Sequence, residues 1–299
     1  MIENARLALE GLSVGDAFGE NFFRYDKESA ALRIQHRDLP SGEWRYTDDT
    51  NMALSIYRVL CQKADIDQDA LILSFAAHYN PARGYGAGAG RLLRQVGAGG
   101  HWWRDASYSL FEGQGSFGNG AAMRIAPIGG YFADDLEQVV TQATKSSEVT
   151  HAHPEGIAGG IAVAVAAAMA YRLRGTPPPT RSAFIEMILP YVPEGEVKSG
   201  LRQAQAIQST HVDHAARMLG NGLLISAQDT VPFCLWCAGE YLGSFEEAMW
   251  QTVAAFGDID TNCAIVGGIV ALYVGQSGIP SEWIQRREPL PDWAIDMSM

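Results

Sequence analysis

The sequence predicts an all-α protein, a compact orthogonal bundle of about a dozen helices forming a single domain over residues 1–299. Three observations lead there. Apolar residues recur at helical spacing behind acid or hydroxyl caps along most of the chain. No run of alternating β-branched residues bounded by hairpin turns occurs. Two uncharged stretches, Gly156 to Tyr171 and Thr261 to Ser281, are rich in small residues, which suits central helices whose backbones approach closely.

In chain order, MIENARLALEGL reads as a short amphipathic helix, because Glu3 and Glu10 interrupt what would otherwise be a signal-peptide core. Asp49 or Thr50 caps a helix that carries Met52, Ile56, Val59 and Leu60 on one face. Asp67 starts DQDALILSFAAHY, and Asp134 and Asp135 start DDLEQVVTQATKSS, acids being favourable in a first helical turn. Further helices are expected over Glu155–Arg174, Thr180–Tyr191, Val197–Gln208, His211–Leu219, Pro232–Leu242, Phe245–Phe256 and Thr261–Val274. Residues 21–46 and 80–119 read as irregular and rich in Gly, aromatic and charged residues, the kind of long loop that carries function.

Composition narrows the function. Hydrophobic residues at 47% and charged residues at 19% exclude a mainly disordered chain. A net charge of −12 argues against a broad nucleic-acid footprint and against anionic lipid, so neither nucleic acid nor membrane is expected as a partner. Four cysteines are too sparse for a disulfide framework and point to a reducing, cytoplasmic compartment. The pair Cys234 and Cys237 lies inside an apolar helix and reads as core.

Four constellations carry chemistry. Tyr46-Thr47-Asp48-Asp49-Thr50 crowds oxygen side chains at a helix entry, as either a cap or a metal site. Gly257-Asp258-Ile259-Asp260-Thr261 repeats the pattern at a second helix entry. It is not a calcium loop, since the later glycine and distal glutamate are missing. Hard oxygen donors of this number suit two Mg²⁺ or Mn²⁺ ions per chain. Gly113-Gln114-Gly115-Ser116-Phe117-Gly118-Asn119-Gly120 runs into a helix, as a turn or as a phosphate-approaching loop, and lacks the Gly-Lys of a P-loop. The fourth, around His151 and His153, is a poor zinc signal. Trp102 and Trp103 fit either a binding lip or a loop anchor.

Taken in order, GLSVGDAFG at 11–19, YTDDTNMAL at 46–54, GSFGNGAAMRIAPIG at 115–129, THAHPEGIAGGIAVA at 150–164 and GDIDTNCAIVGGIVALYVG at 257–275 resemble one family, the ADP-ribosylglycohydrolases. The resemblance covers almost the whole chain. It implies a binuclear Mg²⁺ or Mn²⁺ centre and hydrolysis of the glycosidic bond between ADP-ribose and an acceptor. The substrate would be an ADP-ribosylated protein or a small conjugate, and ADP-ribose would be released. By the same resemblance Thr47, Asp48, Asp49, Asp258, Asp260 and Thr261 fall on metal-ligand positions, Asp49 also serving catalysis. Ser116, Gly118, Asn119 and Gly120 fall on the loop that holds phosphates and distal ribose, Phe117 on an aromatic facing adenosine, and His151 on a histidine that contacts ADP-ribose.

One departure stands out. The family commonly reads G-D-x-x-G-x-x-x-E, and here the final position is Phe23. The nearest acid, Glu20, is the candidate for the acid/base role, reaching the pocket from about one turn back and pointing the same way as Phe23 if the helix continues past Gly19. Two other readings compete with the leading one: a two-metal phosphohydrolase and a non-catalytic ADP-ribose-binding protein.

Overall fold

The structure is a computed structural model that describes residues 1–99 and 102–295. The described residues form an all-α fold of eighteen α-helices and five short 3-10 helices, without a β-sheet. The excess over the expected dozen comes from short pieces such as Trp103–Tyr108, Ala126–Tyr131 and Ser281–Arg286. The segments expected to be irregular also contain helices, at Lys27–His36 and Ala87–Gly97. The first of these has a legible cap: Asp26 accepts a hydrogen bond from the Ser29 backbone N–H.

The architecture turns on two long helices that cross at the centre. The opening helix, Ile2–Glu20, is longer than expected and almost wholly buried from Ala5 to Gly19. It packs along Ile259–Val274, the longest contact in the molecule. Gly11, Gly15 and Gly19 recur every four residues and form one stripe. A Cβ on Gly11 would strike the Ala271 side chain and the Gly267 carbonyl, one on Gly15 the Cys263 carbonyl, and one on Gly19 would lie 2.7 Å from the Ile259 carbonyl. Side chains at these three positions would push the helices apart. The next residues in register, Asp16 and Glu20, are thereby carried to the N-terminal end of the partner helix.

Around this crossing lie Asp48–Lys63, Pro154–Arg172, Ala227–Glu240 and Phe245–Ala254. Pro154–Arg172 is apolar and long enough to cross a bilayer, but 72% of its apolar window is buried inside the protein, as a core helix requires. The expected start at Pro232 is corrected: the helix runs from Ala227 straight through Pro232. The proline sits so near the helix start that only one intrahelical acceptor, the Gln228 carbonyl, loses its donor, and its ring packs on Gly200. Cys234 and Cys237 are fully buried core residues, Cys234 lying 3.3 Å from Asn262 Oδ1. Trp103 is the loop anchor, its indole N–H donating to Asp69 at 2.6 Å, while Trp102 is exposed.

Candidate functional site

Two helix N-termini 210 residues apart in sequence meet at one point. Asp48–Lys63 and Ile259–Val274 present their first turns to each other, and carboxylate oxygens of Asp16, Asp49 and Asp260 lie within 4.8 Å of one another. Asp258 follows a turn in which Phe256 (φ +56°) and Gly257 (φ +78°) are both left-handed. Such a conformation in a bulky residue is costly and persists only when its surroundings hold it.

Asp16 escaped the sequence reading, although it lies in the GLSVGDAFG motif. Its carboxylate accepts the Thr47 backbone N–H at 3.0 Å, the Thr47 hydroxyl at 2.9 Å, the Thr50 backbone N–H at 3.1 Å and the Thr50 hydroxyl at 2.5 Å. Those four bonds occupy the lone pairs a carboxylate offers. Asp16 therefore acts as a cap in trans, holding the first turn of Asp48–Lys63 from a different helix. This corrects the expected cap: Thr47, with Asp16 behind it, starts the helix rather than Asp49 or Thr50. The only sequence signal was an acid inside an otherwise apolar, glycine-striped helix.

Asp49 is placed in the opposite condition. Its Oδ1 is buried and has no hydrogen-bond partner, while Oδ2 lies 2.9 Å from the Thr47 hydroxyl. Burial first, then the neighbouring carboxylates, push Asp49 and Asp260 well above the usual range for an aspartate. The same order of causes raises Asp48 to about 7, and burial raises Asp16 to about 6 despite its four donors. A buried all-oxygen cluster with a free lone pair on Asp49 and no cation among it fits a hard divalent metal ion. Asp48 and Asp258 flank the central three, and Thr261 is buried beside Asp258 as a hydrogen-bonding neighbour.

The glycine loop is tied to this cluster. Asn119 Nδ2 donates to Asp258 Oδ2 at 2.6 Å and to Thr230 Oγ1 at 3.0 Å. The Gly118 N–H donates to Ser116 Oγ at 3.2 Å. The loop rests on a segment that sequence reading passed over: Asn119 N–H donates to the Ile225 carbonyl, and Ala227 N–H to the Phe117 carbonyl. Ile225 holds φ +53°, a strained state for a β-branched residue. Phe117 is partly exposed, 5.4 Å from the His153 ring.

His151 lies under the loop. A Cβ on Gly120 would sit 2.7 Å from its ring, and one on Gly118 would sit 3.3 Å from Nε2. Arg124 donates to Thr150 Oγ1 at 2.8 Å, and that oxygen lies 2.7 Å from His151 Nδ1. The ring's Nε2 faces the loop. Burial, and secondarily the Arg124 charge, pull His151 down to about 3, so the ring stays neutral. His153 is differently employed, capping Pro154–Arg172 through Glu155 N–H.

Glu20 is half-buried, and burial raises its carboxyl against the opposing charges of Arg24 and Arg45. It lines a pocket of about 360 Å³ with Thr47, Arg83, Gly84 and Asp260. Phe23 does not share that pocket. It lines a separate hollow of about 740 Å³ with Phe22, Tyr25 and Phe256. The expectation that Glu20 reaches the pocket of Phe23 is corrected: the chain stays helical past Gly19, as a 3-10 turn over Asn21–Arg24, yet the two side chains line different pockets.

Comparisons with known proteins follow the same lines. A family model described as ADP-ribosylglycohydrolase matches residues 1–298. The chain is 27% identical to the mouse ADP-ribosylhydrolase ARH3, over 96% of this chain and 88% of that protein. It is 30% identical to an uncharacterized protein of Archaeoglobus fulgidus, over 95% and 92%. It is 27% identical to the ADP-ribosyl-[dinitrogen reductase] glycohydrolase of Rhodospirillum rubrum, over 93% and 88%. Among solved structures, an ADP-ribosylglycohydrolase-related protein complex superimposes with a TM-score of 0.69 at 24% identity, covering 96% of this chain and 93% of that one, a likeness of fold.

Proposed function

This chain belongs to the ADP-ribosylglycohydrolase family, and on that premise we propose that it hydrolyses the glycosidic bond at C1″ of an ADP-ribosylated protein or small conjugate and releases ADP-ribose. The observation that supports this most is the 2.6 Å bond between Asn119 and Asp258. It makes a glycine loop, suited to phosphate and ribose, continuous with a carboxylate cluster suited to metal.

Thr47, Asp48, Asp49, Asp258, Asp260 and Thr261 are the residues that would hold two Mg²⁺ or Mn²⁺ ions. When bound, such ions neutralise the carboxylates, hold vicinal ribose hydroxyls and acidify a water for attack. The chain's own residues do the rest. Asp16 holds the Thr47–Thr50 turn in place. Gly118 and Gly120 let the loop settle onto the His151 ring with no side chain between them. His151 turns its neutral ring, Nε2 foremost, to the loop side where the substrate would lie. Glu20 sits beside Asp260, where a proton is delivered to the departing atom as the C1″ bond breaks.

The test is product analysis. The protein is incubated with arginine- and serine-linked ADP-ribose, with Mg²⁺, with Mn²⁺ and with chelator. Free ADP-ribose formed only with metal supports the proposal. AMP as the product would mean phosphohydrolysis, and metal-independent binding without turnover a binding protein.

A further inference from the structure

The pocket that holds Glu20 contains none of the loop residues 116–120 and not His151. If ADP-ribose lies along that loop, the group attached at C1″ lies on this other side of the carboxylates. Three arginines line it: Arg24, Arg45 and Arg83. Arg83 is fixed, paired with Glu288, stacked 3.9 Å from the Tyr46 ring centre and donating to the Tyr46 carbonyl at 2.6 Å. Arg24 and Arg45 are exposed, and among the described residues neither has an acid within ion-pair range. On a protein of net charge −12, three arginines gather at this one pocket. The charges of Arg24 and Arg45 act on Glu20, which lines the same pocket.

We propose that this mouth selects an acidic acceptor: a polypeptide with aspartate or glutamate beside the ADP-ribosylated side chain, met by Arg24 and Arg45. The inference rests on the function proposed above. Flanking carboxylates meet two unpaired guanidinium groups, which bind carboxylates in a fork geometry. Flanking lysines meet the same groups and are repelled. Because both arginines are exposed, the preference acts over a Debye length of about 8 Å at physiological salt and fades as salt rises.

The test uses four synthetic peptides, serine-linked and arginine-linked to ADP-ribose, each made with Asp flanks and with Lys flanks. The ratio of kcat/KM between Asp and Lys flanks is measured for the unaltered protein and for the R24E/R45E double variant. Because the ratio is taken within one protein sample, a loss of folded material cancels. A ratio of roughly tenfold for Asp flanks, collapsing toward one in 1 M salt and inverting in R24E/R45E, is expected. Release of ADP-ribose with equal rates for both flanks overturns this inference alone. No release from any of the four overturns the proposed function and this inference together.

Discussion

Asp16 and Thr50 belong to different helices, and one is the cap of the other: the Asp16 carboxylate takes both the backbone N–H and the hydroxyl of Thr50, at 3.1 and 2.5 Å. The glycine stripe that seats the first helix on Ile259–Val274 therefore also sets the position of Asp49. Asp16→Asn should break this link, because the amide nitrogen replaces one of the two accepting oxygens and turns its hydrogens toward donors. The expected cost is about 1–3 kcal/mol of stability, read as a lowered melting temperature with chelator present. An unchanged melting temperature would show that the trans cap contributes nothing.

Asp49→Asn should act oppositely without metal. It removes one of several repelling buried carboxylates, so the variant should melt higher than the parent in chelator, by about 1–3 kcal/mol. It should also lose turnover and most of the melting shift caused by Mg²⁺ or Mn²⁺. For the parent that shift should reach about 2.7 kcal/mol at a hundredfold excess over the dissociation constant. Equal metal-induced shifts in both proteins would remove Asp49 from the ligand set.

Gly120→Ala tests the loop. The added methyl would sit 2.7 Å from the His151 ring, so the ring or the loop must shift. ADP-ribose affinity should fall by tenfold or more, since about 1.4 kcal/mol of misfit suffices, while the helical circular dichroism is kept. Calorimetric titration with ADP-ribose reads this directly, and normal affinity would mean that the glycine serves only the turn.

Glu20→Gln keeps the shape and removes the charge. The catalytic rate should fall by about 10²–10⁴-fold, with ADP-ribose affinity nearly unchanged. Turnover at the parent rate would strike Glu20 from the chemistry.

His151 predicts a pH effect on stability. Its folded-state value lies near 3, against 6.5 for an ordinary imidazole. Below about pH 6.5 the unfolded chain takes up a proton that the folded chain refuses, so this group costs stability as pH falls. The slope approaches about 1.4 kcal/mol per pH unit. His151→Asn should lack that contribution. Between pH 6 and 4 its denaturation free energy should fall less steeply than the parent's, while the carboxylate contributions common to both cancel in the difference. Parallel curves would mean that the ring is not held neutral.

Most of the long helices and both acid clusters were legible in the sequence because caps and apolar periodicity are local, whereas Lys27–His36 and Ala87–Gly97 lie in stretches read as irregular. Asp67 and Asp135 each accept from backbone N–H groups two or three residues on, and such spacing is visible in a string of letters. The ordered motifs carried the family for a similar reason, each being a short contiguous run. The role of Asp16 was not legible, because its four partners lie 31 and 34 residues away. Neither was the setting of His151, whose partner Thr150 is held by Arg124 across 26 residues.

The sequence by itself determined the helical class, the oxygen-rich chemistry at two helix entries, and the departure at Phe23. Only the tertiary structure decided that Glu20 and Phe23 face different pockets, that Asp16 holds rather than hangs free, and that Arg24 and Arg45 line the pocket of Glu20. The reason is physical. Helix formation and capping depend on neighbours within a turn or so. The charge state and freedom of a buried group depend on every atom that packing brings to it.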